Sequence, residues 1–179
     1  MRSHRHLLPS LALGLLPSTA WAADDAFLCG KGVIENQSAD NHFKTLDCIE
    51  LDSWSLGTTT LKAPGDPPGA APVEVGPLVV QLAGGGPNVV FFGTWAMTGQ
   101  VIEGLTLYTR TQGAPATAVA MKAVLQGVQV REHVFRGGAN DNPRLTLVLD
   151  WTGLTLTYSP YDENWKPGTP QTLSWSQGD

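Results

Sequence analysis

Cys29 and Cys48 are the two cysteines of the chain, and His42 and His133 are the histidines that stand beyond its first six residues. A histidine zinc site commonly shows a close pair of ligands, and a zinc or redox cysteine site commonly shows C-x-x-C. Neither spacing occurs here, so no metal and no cofactor is expected. Two cysteines at this separation can instead close a disulfide. Between them runs Asn36-Gln37-Ser38-Ala39-Asp40-Asn41, a run of turn formers. A hairpin folded about Ser38 and Ala39 sets Cys29 opposite Cys48, Leu28 opposite Ile49 and Ile34 opposite Phe43. Directly paired residues of an antiparallel ladder lie about 4.5–5.5 Å apart at Cα, within disulfide reach.

Nucleophilic catalysis would have to use His42 or His133, and no Gly-x-Ser-x-Gly accompanies either. His42 has Asp40 and Glu35 near it in the predicted hairpin. Two carboxylates facing each other across a cleft could hydrolyse a substrate by acid–base chemistry. Glu50, Asp52, Glu74, Glu103, Asp150, Asp162 and Glu163 carry no spacing that selects such a pair. Gly84-Gly85-Gly86 is followed by Pro87-Asn88, where a phosphate-binding loop needs Gly-Lys-Ser/Thr. The chain therefore reads first as non-enzymatic, with a small hydrolase using paired carboxylates or His42 as the alternative.

Aromatic residues are the more distinctive signal. Trp151 falls in Asp150-Trp151-Thr152-Gly153, read as a tight hairpin turn, and Trp165 lies in the proline-rich stretch SPYDENWKPGTP with Tyr161. Tryptophan in a loop offers large contact area at small entropic cost. Trp151, Trp165 and Tyr161 are accordingly the candidate contacts to a partner protein or small ligand, with Trp95 as a fourth if it faces a cavity.

These residues sit in a chain that reads as β. Glycine and proline punctuate short pieces rich in Val, Leu and Thr, the pattern of an antiparallel sandwich or small barrel. Strands are predicted over 26–35, 42–52, 54–62, 73–83, 88–97, 101–110, 128–136, 144–149, 154–158 and 171–175. Leu105-Thr106-Leu107, Leu145-Thr146-Leu147 and Leu154-Thr155-Leu156 each place Leu on one face and Thr on the other, as in a sheet buried on one side. Residues 117–126 carry helix formers and also strand alternation, and the β surroundings favour strand. The expected organisation is one domain, 23–179, made of a hairpin unit over 26–62, a Pro/Gly-rich loop over 63–77 and a main sheet over 78–179. An outer-membrane barrel of 8–10 strands is a further alternative, as is a structural envelope component.

The first 22 residues carry Arg2 and Arg5, then a Leu-rich run, then Ala20-Trp21-Ala22. That is the form of a signal peptide cut after Ala22. The apolar run is about ten residues, where a spanning helix needs about 20. Phe27-Leu28 before Cys29 argues against a lipid anchor. Without the leader's two arginines the chain carries 9 basic and 16 acidic residues, a net of −7 against −5 for the whole. That charge disfavours a nucleic-acid surface. The expected location is the periplasm or outside the cell, where a disulfide persists.

Overall fold

The structure, a computed structural model, describes residues 24–60, 73–84, 86–115, 117–139 and 141–177. The predicted leader and residues 63–72 of the Pro/Gly-rich loop lie outside the described residues. In chain order the elements are β1 (Asp24–Cys29), β2 (Cys48–Leu51), β3 (Ser53–Ser55), β4 (Thr58–Thr60), β5 (Val73–Val75), β6 (Leu78–Ala83) and the helix α1 (Pro87–Thr98). Then follow β7 (Ile102–Thr111), β8 (Met121–Gly138), β9 (Asp141–Asp150), β10 (Gly153–Tyr158) and β11 (Gln171–Ser176).

The strands pair antiparallel throughout. One sheet runs β2-β1-β7-β8-β10-β11, and a second runs β8-β9-β6-β3. β8, 18 residues long, belongs to both: its first part pairs with β7 and β10, its last part with β9. β4 and β5 form a separate two-stranded ribbon. The chain is thus an all-β antiparallel domain whose two sheets fold about one shared strand.

The Leu/Thr alternation decides which way each strand faces. Leu105, Leu107, Leu125, Leu145, Leu147 and Leu149 are essentially without solvent exposure and meet in one core with Leu28, Leu78 and Val80. Each buried leucine of this kind contributes about 1.5–3 kcal/mol. The apolar faces point inward, the reverse of a lipid-facing barrel, whose apolar band points out.

Three sequence expectations change. Cys29 and Cys48 do stand opposite each other, as do Leu28 and Ile49. The strands, however, stop there. Residues 30–47 leave the ladder as a folded-back loop with one 3-10 turn, Phe43–Leu46, which roofs Phe27 and the disulfide. Residues 88–97 are helical, not extended. Pro87 stands at the start of α1, and Gly99 ends it at φ +64 with its N–H donating to the Trp95 carbonyl; these are ordinary helix boundaries. Third, 150–153 is no hairpin. β9 and β10 run on along the same edge of β8, and Asp150-Trp151-Thr152-Gly153 is the corner where the chain passes from one sheet to the other. Gly127 matches it on β8 at φ +57, where a Cβ would collide with the Thr152 side chain. The ambiguous 117–126 segment becomes strand from Met121 onward.

Candidate functional site

Cys29 and Cys48 are disulfide-bonded and buried against Phe27 and Phe43. Beside them stands an arginine that the sequence reading did not single out. β1 and β7 pair so that Asp25 lies opposite Arg110. The Arg110 guanidinium reaches Asp25 Oδ2 at 3.0 Å and Asp40 Oδ2 at 2.8 Å. It also lies 5.5 Å from the Phe27 ring centroid and 5.6 Å from that of Phe43. Asp40 Oδ1 accepts the backbone N–H groups of His42 and Phe43 at 2.9 and 3.3 Å. Burial opposes the Asp40 charge, but Arg110 and these two N–H groups outweigh it and hold its carboxyl below the usual range. Arg110 is likewise disfavoured by burial and returned above its ordinary value by the two carboxylates.

This cluster bears directly on the hydrolase alternative. Asp25, Asp40 and Glu50 do line a cleft of about 310 Å³. A general acid needs a raised carboxyl pKa, whereas Asp40 is lowered and Asp25 shares its arginine. His42 opens the 3-10 turn with its ring edge-on to Phe43, 5.1 Å between centroids. His133 puts Nε2 2.9 Å from the Val89 carbonyl and so ties α1 to β8. Asn88 is buried and exchanges hydrogen bonds with both backbone groups of Glu35, fixing the start of α1 to the 30–47 loop. Among the described residues no three His, Cys, Asp or Glu side chains are placed to hold a metal ion.

The four aromatic candidates are not brought to one place. Trp151 is buried at 8% exposure, edge-on to Trp175 at 5.1 Å. It forms one wall of a cleft of about 290 Å³ with Asp150, Gln129 and Gln177. The turn assignment implied an exposed Trp151; at the corner between sheets the ring instead drops into the core. Trp165 and Tyr161 lie beyond the other end of β10, in a cleft of about 320 Å³ with Tyr158, Asp162 and Glu163. Six residues of strand separate the two clefts, roughly 20 Å. Trp95 is half-buried on α1, stacked on Phe91 at 6.3 Å and packed against the core.

α1 itself is a feature that the strand reading concealed. Its sequence, PNVVFFGTWAMT, holds no charged residue. Phe92 is buried, and Val89, Trp95 and Ala96 pack against the core. Val90 and Met97 on the opposite face are 70% and 84% exposed, with Phe91 and Val101 also in solvent. An ordinary surface helix keeps charged and polar residues on that face.

No protein-family model matches the sequence, and no curated protein matches it. Solved structures do match the fold. One described as a type six secretion system protein is similar with a TM-score of 0.73 at 22% identity, over 86% of this chain and 96% of that one. Hcp1 from Salmonella typhimurium is similar with a TM-score of 0.64 at 19% identity, over 86% of this chain and 95% of that one. A type VI secretion system effector from Yersinia pestis gives 0.63 at 14% identity, over 85% and 99%. At these identities the likeness establishes a shared fold: the chain has the Hcp-like antiparallel β architecture.

Proposed function

We propose that the mature chain is an exported, non-enzymatic component of a type VI secretion-related assembly that meets a partner protein through the outer face of α1. The observation that carries this is the uncharged, solvent-facing set of Val90, Phe91 and Met97 on α1, continued by Val101 just past its end. Exposed apolar patches on a folded protein mark association sites. Trp95, stacked on Phe91 at the edge of this set, extends it. The secretion context rests on the fold likeness to proteins so described. Export rests on the N-terminal leader, cut after Ala22, and on the Cys29–Cys48 disulfide, which suits the periplasm or cell exterior. Among the described residues no helix is long and apolar enough to cross a membrane.

The test uses the mature protein, 23–179, and its Val90→Glu/Met97→Glu variant. Both are compared for co-purification from the native envelope fraction and for self-association by light scattering. The variant should keep its thermal unfolding midpoint and lose the partner, or lose self-association if the partner is a second copy. Retention of every bound protein by the variant would overturn the α1 assignment. Intact Met1 on the native protein would overturn export.

A further inference from the structure

We propose that the cleft at the end of β10 binds an organic cation: an ammonium, guanidinium or quaternary ammonium group. It lies apart from the α1 surface, on different elements, and stands independently of it. Three aromatic rings reach the cleft: Tyr158 from the end of β10, and Tyr161 and Trp165 from the segment that follows. Asp162 and Glu163 add two carboxylates, and no lysine or arginine is among its lining residues. Aromatic faces carry negative charge density and hold cations within about 6 Å of the ring centroid. Carboxylates beside such rings select for positive charge over a neutral ligand of equal size. A volume of about 320 Å³ admits one such head group.

The walls are held in place before any ligand arrives. The Asp162 N–H donates to the Lys166 carbonyl at 3.1 Å, and the Trp165 N–H donates to the Asp162 carbonyl at 3.0 Å. Asp162 Oδ1 accepts the backbone N–H groups of Asn164 and Lys166, both at 2.9 Å. Tyr161 bridges to Pro167, and the Gly168 N–H closes the base on the Pro160 carbonyl at 2.8 Å. Trp165 is thereby held at φ +59, a conformation a bulky residue rarely takes. Tyr161 and Trp165 meet at 53° with centroids 6.5 Å apart, two walls at an angle rather than a flat stack. Tyr158 remains 52% and Trp165 37% exposed, so ring surface is left open to a ligand. Fixed aromatic walls bind with little further ordering cost. The acidic mature chain adds a general attraction for cationic partners.

The experiment titrates the mature protein with choline, N-acetyl-lysine amide and N-acetyl-arginine amide. The neutral choline isostere 3,3-dimethylbutanol serves as the control. The readout is the indole N–H resonance of Trp165, assigned from Trp165→Phe. Saturable shifts with the cations and none with the isostere are expected. Tyr158→Ala, which leaves the 160–168 loop untouched, should weaken binding roughly tenfold. Glu163→Gln should weaken it by about threefold and flatten its dependence on salt. Preference for choline would identify a small-molecule head group as the source. Preference for either amino-acid amide would identify a basic side chain of a partner protein. Equal binding of the isostere, no shift with any cation at millimolar concentration, or binding undiminished in Tyr158→Ala would overturn the proposal.

Discussion

Arg110 shows how one residue can set the loop that carries the disulfide. Its guanidinium joins Asp25 on β1 to Asp40 in the 30–47 loop and lies against Phe27 and Phe43. Removing the cation would leave two carboxylates facing each other in a partly buried pocket. Arg110→Met should therefore destabilise the fold by about 3 kcal/mol, measured by urea denaturation. Asp40→Asn keeps an acceptor for the His42 and Phe43 N–H groups and removes only the charge, so its cost should be smaller. The pH dependence follows from the lowered Asp40 carboxyl. A group lowered in the folded state contributes stability above its unfolded pKa of about 3.9, and loses it as pH falls through the folded value. Wild type and Asp40→Asn should thus differ in stability at pH 7 and converge toward pH 2. A gap that stays constant across that range would show that the Asp40 charge is not what Arg110 holds. None of this was visible in the sequence. Arg110 and Asp25 are 85 positions apart, and Arg110 sits in an alternating strand where the outward position reads as solvated.

At the scale of elements, the informative places are the corner and the helix. The corner needs Gly127 at φ +57, with Thr152 donating both its N–H and its hydroxyl to the Gln126 carbonyl. Gly127→Ala forces a side chain into a left-handed position and against Thr152. It should cost about 2 kcal/mol, read as a lower thermal midpoint with an unchanged far-ultraviolet spectrum. A midpoint equal to wild type would mean that the corner can straighten. The Leu/Thr alternation of β7, β9 and β10 was legible because each strand has one dry and one wet face. The corner was misread because Asp150 to Gly153 has turn chemistry, and a change of sheet uses the same residues as a change of direction. α1 was misread for a different reason. Its outer face carries Val90 and Met97 beside two threonines and no charge, so the 3.6-residue period was blurred, although Pro87 and Gly99 marked its ends. The exposed apolar side chains of the outer face are what weakened the helical signal.

For the molecule as a whole, the fold class and the disulfide were legible, and the candidate surfaces were only partly so. Trp165 and Tyr161 share a cleft as their closeness in sequence suggests, while Trp151 and Trp95 were dispersed by a topology that composition does not encode. The Cys29–Cys48 pairing was recoverable because both partners and the turn formers between them are local. The same bond joins the two strands at the point where the 30–47 loop departs, so its removal tests the link between export and stability. Closing a loop of this length stabilises by about 3 kcal/mol in the chain-entropy model. The loop is also held by Arg110 on Asp40 and by the Gln37 and Ser38 N–H groups on the Cys48 carbonyl, at 3.0 and 3.1 Å. Cys29→Ala/Cys48→Ala should therefore still fold, with its unfolding free energy lowered by about that amount, read as a lower urea midpoint, and no further response to reductant. Wild type should fall to the same midpoint on reduction, slowly, because Cys48 is fully buried. Adding Arg110→Met to the cysteine-free chain should cost less than in wild type, since both restraints act on one loop and their effects couple. If the two changes instead add in full, the disulfide and the Arg110 clamp hold separate parts of the structure, and the loop is not the unit that oxidation stabilises.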